Sequence, residues 1–119
     1  SSTSRGLGDV YKRQILGHLG EAIPFWLPRI QESLSRTESQ PINFEDIFKS
    51  NFWITTSGFF SDHALELCVN TLKLDHIMFA IDWPYANNET GVNWLQNSKI
   101  KPSIKSDIFS KNAQNLFRL

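Results

Sequence analysis

Cysteine is almost missing from this chain: Cys68 stands alone in 119 residues. A single thiol cannot close an internal disulfide, and that usage predicts a reducing compartment, by default the cytoplasm. Net charge is missing as well. Twelve Lys and Arg balance twelve Asp and Glu, which removes the electrostatic case for nucleic acid or an anionic membrane as a partner. No apolar run approaches the ~20 residues that a membrane-spanning helix needs, and no signal-peptide pattern is visible. No internal repeat or low-complexity tract is present either. What remains is ordinary for a globular domain, with 40% hydrophobic and 20% charged residues. The length suits one small domain and is short for many α/β architectures.

The first fourteen residues lack any hydrophobic period. Ser1-Ser2-Thr3-Ser4-Arg5-Gly6-Leu7-Gly8 is small and polar. Asp9-Val10-Tyr11-Lys12-Arg13-Gln14 then resembles the in-frame translation of a transposon-end adaptor used to prepare sequencing libraries. Such scars are set aside in reasoning about a fold. The expectation is a non-native tail over 1–14, loosely attached to a domain over 15–119.

Ile77-Met78-Phe79-Ala80-Ile81-Asp82-Trp83-Pro84 organises the rest. Five apolar residues without alternation predict a strand buried on both faces, as in a parallel sheet covered by helices. Pro84 cannot donate to a ladder and restricts Trp83 to extended geometry, which ends the strand. Asp82 is thereby placed at the carboxyl end, where α/β folds collect ligands and metals. Its other reading is a cap on the next helix or turn.

Ile15 to His18 predicts a short strand end, with Gly17 and Gly20 allowing a sharp turn around His18. From Glu21 to Arg36 the apolar residues Ile23, Trp26, Leu27, Ile30 and Leu34 recur at helical spacing, and Pro28 predicts a kink or break. Thr37 to Asn43 reads as a loop and Phe44 to Lys49 as a short helix. Phe52 to Ser57 is rich in aromatic and β-branched residues and predicts a second strand closed by Gly58. Ser61 suits an N-cap for a helix carrying Leu65, Cys68, Val69 and Leu72. The strand of His76 to Asp82 follows, then a loop at Asn87 to Glu89, a helical turn at Thr90 to Leu95, and a loop at Lys99 to Ser103. A final helical face is formed by Ile104, Ile108, Phe109, Ala113, Leu116 and Phe117. The order β-α-β-α-β-α, with repeat lengths near those of a (β/α) barrel unit, predicts the tail of a barrel. Three apolar parallel strands alone would leave two exposed edges.

Four motifs carry a family resemblance. Gly17-His18-Leu19-Gly20-Glu21-Ala22-Ile23-Pro24-Phe25-Trp26-Leu27 closely resembles the sixth-strand region of the amidohydrolase-related decarboxylases. Trp53 to Gly58 is similar to their seventh strand, Phe79 to Tyr85 to their eighth, and Asn112 to Phe117 to their closing helix. The resemblance runs from Ile15 to Leu119, nearest to the 5-carboxyvanillate, γ-resorcylate and dihydroxybenzoate decarboxylases. It implies an α/β fold, the C-terminal part of a TIM (β/α)8 barrel comprising about strands 6 to 8 and their helices.

The same resemblance implies a metal-dependent, non-oxidative decarboxylation of a hydroxylated aromatic carboxylic acid. Asp82 matches the eighth-strand metal ligand, His18 the active-site histidine of the sixth strand, and Glu21 a carboxylate that orients it. These three are the candidate catalytic residues, with Asp82 the candidate metal ligand for zinc or manganese. Arg29 follows Glu21 at a spacing the family shows and is a candidate toward substrate or a subunit interface, against a solvated helix face. His63 and His76 read as structural, and Trp26, Trp53 and Trp94 as packing helices on strands. The family's first-strand metal-binding pair and fifth-strand histidine have no counterpart here, so a catalytic ion would lack ligands. The expectation is an inactive piece of a homo-oligomeric enzyme. Two rivals are a fragment of a hydrolase or lactonase of the same superfamily and a small non-catalytic interaction domain.

Overall fold

The structure is a computed structural model and describes residues 13–37 and 42–119. Val10 and Tyr11 of the expected tail, and residues 38–41 of the expected loop, lie outside the described residues. Three strands form one parallel sheet in the order β1-β2-β3: β1 (Gln14–Leu16), β2 (Phe52–Thr55) and β3 (Ile77–Met78). Gln14 pairs with Phe52, so the strand takes in one residue of the segment read as a tail. Leu16 stands opposite Ile54, and Ile54 in turn opposite Ile77. Parallel pairing brings all three carboxyl ends to one rim, and β2 lies between the other two.

β3 is shorter than the expected strand of His76 to Asp82. His76 closes a 3-10 turn, Leu74–His76, and regular pairing stops after Met78. The reason is a side chain. Thr56 N–H donates to the Met78 carbonyl at 3.1 Å. Its hydroxyl then donates to the Ala80 carbonyl at 2.8 Å and accepts from the Ala80 amide at 3.1 Å. Gly58 N–H donates to the Ile81 carbonyl at 3.0 Å. The chain thus stays alongside β2 up to Asp82, with one hydroxyl standing in for a peptide rung.

The helices follow the amphipathic pattern. Helix α1 (Ile23–Thr37) runs through Pro28 without the break that was one of the two expected outcomes. Leu27 is 1% exposed in the core, and α1 packs on the helices that follow, so tertiary burial outweighs the lost rung of about 3 kcal/mol. Trp26, expected to pack, is 50% exposed, because it sits one helical step off the buried stripe. Helix α2 (Phe44–Asn51) is capped by the Asn43 side chain on Asp46 N, and its Phe48 stacks on Phe52 at 4.9 Å. Helix α3 (Asp62–Thr71) is capped by Ser61, as expected, with Leu65 and Cys68 buried.

Helix α4 (Asn88–Asn97) begins inside the expected loop because Asn87 accepts from Thr90 N and caps it. Helix α5 (Pro102–Ser106) likewise claims the end of the expected Lys99–Ser103 loop, with proline in its first turn. A π-helical turn, Asp107–Lys111, joins it to α6 (Asn112–Phe117), so the expected single helical face is interrupted. There the Ile108 carbonyl accepts from Phe79 N at 2.9 Å, which ties the final helices to the residue after β3.

Leu19, Leu27, Phe48, Ile54, Leu65, Ile77, Leu95 and Ile108 form one buried cluster between sheet and helices. Buried Asn112 donates through Nδ2 to the carbonyls of Leu74 and Ile77, both at 2.9 Å. His76 stacks on Trp53 at 3.9 Å and its Nδ1 meets the Phe52 carbonyl at 2.9 Å, which is a structural role. Trp94 tilts against Phe60 and donates to Asp62 at 2.9 Å. Among the described residues, no helix is long and apolar enough to cross a membrane.

Candidate active site

His18 follows β1 directly. The chain there makes one left-handed turn, with φ of +52° at His18, +52° at Leu19 and +77° at Gly20. Such backbone is disfavoured for residues with a Cβ. Burial of Leu19, 1% exposed, and a hydrogen bond from the Cys68 thiol to the Leu19 carbonyl hold it. The turn lifts the imidazole onto the rim of the sheet. Glu21, itself at φ +57°, folds back toward it.

The three candidate catalytic side chains come together. Glu21 Oε1 lies 2.9 Å from His18 Nδ1, and Asp82 Oδ2 lies 3.6 Å from His18 Nε2. An ionised carboxylate only accepts, so Glu21 keeps the proton on Nδ1 and leaves Nε2 turned to Asp82. Asp82 reaches this position from the third strand at φ +74°, a region that Asp tolerates better than most residues. The Trp83–Pro84 peptide after it is cis. His18 and Asp82 remain open at the rim, with side chains 43% and 39% exposed. Beside them an apolar cleft of about 420 Å³ is lined by Glu21, Phe25, Phe59 and Leu67.

Arg29 is exposed on α1. His63 is exposed in the first turn of α3. Three residues of β2's end were not singled out as site residues: Thr56, Ser57 and Gly58. The Ser57 carbonyl accepts from His18 N at 3.2 Å, and Gly58 lies between the His18 ring and Asp82. Their signal was a run of hydroxyls and a glycine, Thr55-Thr56-Ser57-Gly58, closing an apolar strand.

Nitrogen and carboxylate oxygen are donors that zinc or manganese accepts. Among the described residues, however, no three His, Cys, Asp or Glu side chains converge to hold an ion. The Asp82 carboxylate is of the kind such an ion takes, and among the described residues no complete set of donors gathers around it.

Parallel strands that carry a histidine, its carboxylate partner and a second carboxylate to one rim are the arrangement of a (β/α) barrel enzyme. Residues 15–119 match the amidohydrolase family, and the chain belongs to it. It is 36% identical to a γ-resorcylate decarboxylase of Polaromonas sp. (strain JS666), over 96% of this chain and 37% of that protein. The crystal structure of 5-carboxyvanillate decarboxylase from Sphingomonas paucimobilis superposes with a TM-score of 0.82 at 34% identity, over 90% of this chain and 34% of that one. A dihydroxybenzoic acid decarboxylase from Polaromonas sp. JS666, solved with bound manganese and the inhibitor 2-nitroresorcinol, gives 0.83 at 34% identity, again over 90% and 34%. The fold is therefore the C-terminal part of a TIM barrel. The chain spans about a third of the length of the relatives it matches.

Proposed function

We propose that this chain is the C-terminal part of a metal-dependent, non-oxidative decarboxylase of hydroxylated aromatic carboxylic acids. The observation that carries the reading is the His18–Glu21–Asp82 group, gathered from two strands onto one rim in a chain of this family. Asp82 would hold the ion as one of several ligands. A divalent ion, manganese or zinc, would supply a Lewis acid at that site. Asp82, protonated in part of the cycle, delivers its proton to the ring carbon that bears the carboxyl group. The bond to that group then breaks, its electron pair restores the aromatic ring, and carbon dioxide leaves. His18, oriented by Glu21, presents Nε2 to the phenolic oxygen or the departing carboxyl group. Arg29 is the proposed contact toward substrate or a second subunit.

The parent reads as a cytoplasmic homo-oligomer, consistent with one buried Cys68 and with Phe25 and Trp26 left exposed on α1. Residues 1–14 read as adaptor-derived, and the genomic sequence upstream of Ile15 checks that. The test of function is turnover. The 119-residue chain alone should not decarboxylate 2,6-dihydroxybenzoate, because the ligand set is incomplete. The chain completed with the missing barrel strands should do so with manganese and lose activity to a chelator. A completed protein that hydrolyses lactones and leaves aromatic acids untouched would overturn the reading.

A further inference from the structure

We propose that Ser57 and Gly58, at the end of β2, are positioning residues that set the distance between His18 and Asp82. Neither bears a group that titrates in the site, yet both touch what does. Ser57 acts on the first strand's residue. Its carbonyl accepts from His18 N at 3.2 Å, and its hydroxyl lies 3.4 Å from the same amide. That hydroxyl is itself held by Thr55 Oγ1 at 2.9 Å. Room for it exists because Gly17 has no side chain: a Cβ there would lie 2.7 Å from Ser57 Oγ. His18, at φ +52°, is thus pinned by the strand beside it and not by its own.

Gly58 acts on both sides at once. Its N–H donates to the Ile81 carbonyl at 3.0 Å and so fixes the residue preceding Asp82. A Cβ on Gly58 would lie 3.0 Å from Cδ2 and Nε2 of His18 and 3.1 Å from Asp82 Oδ2. That contact is tighter than ordinary packing at all three atoms, and its φ of +67° is left-handed besides. The missing side chain is the space across which Nε2 and Oδ2 approach to 3.6 Å. The central strand therefore works as a spacer: its serine holds one partner, its glycine amide the other, and its bare Cα the gap.

The proposal concerns the geometry of the pair, and only its second test rests on the proposed function. In the 119-residue chain, nitrogen NMR of the imidazole reads the pair directly. Asp82→Asn should move the His18 Nε2 resonance, and Gly58→Ala should largely remove that response. Ser57→Ala keeps the carbonyl that accepts from the His18 amide and removes only the hydroxyl contact. That amide should therefore exchange faster without becoming free, and Ser57→Thr, which keeps the hydroxyl, should restore its protection. This serine pair decides the matter where Gly58→Ala does not fold. In the completed enzyme Gly58→Ala should lower kcat about 100-fold through misplacement, with far smaller changes in KM and metal content. An unchanged response to Asp82→Asn in the Gly58→Ala chain, or a His18 amide that exchanges no faster in Ser57→Ala, would overturn the spacer role. A completed wild-type enzyme without decarboxylase activity would instead count against the functional reading, and the NMR measurements would still decide the spacer.

Discussion

At φ +74° Asp82 occupies backbone space that few L residues enter, and His18 and Leu19 at +52° do the same across the rim. Deviations of this kind cost on the order of 1–3 kcal/mol each and persist where surrounding structure over-determines them. Here the determinants are visible: buried Leu19 on one side, and the Gly58 amide on Ile81 on the other. The role proposed for His18 is open to a kinetic test. In the completed enzyme, His18→Ala should lower turnover more than metal content, because the role proposed for Nε2 is toward substrate. Equal loss of both, by turnover and elemental analysis, would make His18 a ligand instead. Cys68 offers a residue-level test of folding. Burial pushes its thiol from 9.0 up to about 12. The folded chain keeps that proton where the unfolded chain loses it, so the contribution is whole below pH 9.0 and declines from there toward about 12. Urea midpoints should fall over that window in the natural chain and fall less in Cys68→Ala. Iodoacetamide should label Cys68 only after denaturant is added.

Thr56 shows how an element can end without its neighbours parting. It is wholly buried, and its hydroxyl satisfies both the amide and the carbonyl of Ala80. Thr56→Val keeps the shape and leaves both groups orphaned, so it should destabilise the chain by about 2 kcal/mol or more, read from urea unfolding. Thr56→Ser should recover most of the loss. Ser61→Ala removes the cap on α3 and should cost about 1 kcal/mol. These details mark where the sequence was readable. The apolar run from Ile77 to Ile81 located the third strand's path and put Asp82 at its mouth. It could not show that a threonine on the adjacent strand would replace a rung, since that depends on which atoms face each other across 24 positions. Ser61 as a cap was readable from local chemistry, and so was the α1 stripe. Passage through Pro28 was not, because distant packing decides it. The π turn was equally hidden, as it serves a hydrogen bond to Phe79 from far along the chain. For the site, Asp82 is marked by its place at the mouth of an apolar run, and His18 and Glu21 by the family resemblance of the motif that carries them. Ser57 and Gly58 act through backbone and through absence, which composition does not display.

The chain spans about a third of the length of its barrel relatives, and β1 and β3 are the edges of its sheet, with the candidate site on their common rim. Ile15 on β1 is 47% exposed, as expected on an edge strand. Under the proposed function this segment supplies an oriented histidine and one carboxylate, and the rest of a barrel supplies the remaining ligands. At the centre stands Asp82, as metal ligand and proton donor together. The most direct test is turnover and metal stoichiometry measured side by side in the completed protein carrying Asp82→Asn. The account predicts a fall in turnover of at least about 100-fold with metal content reduced. Full activity in that variant, with metal still bound, would contradict it.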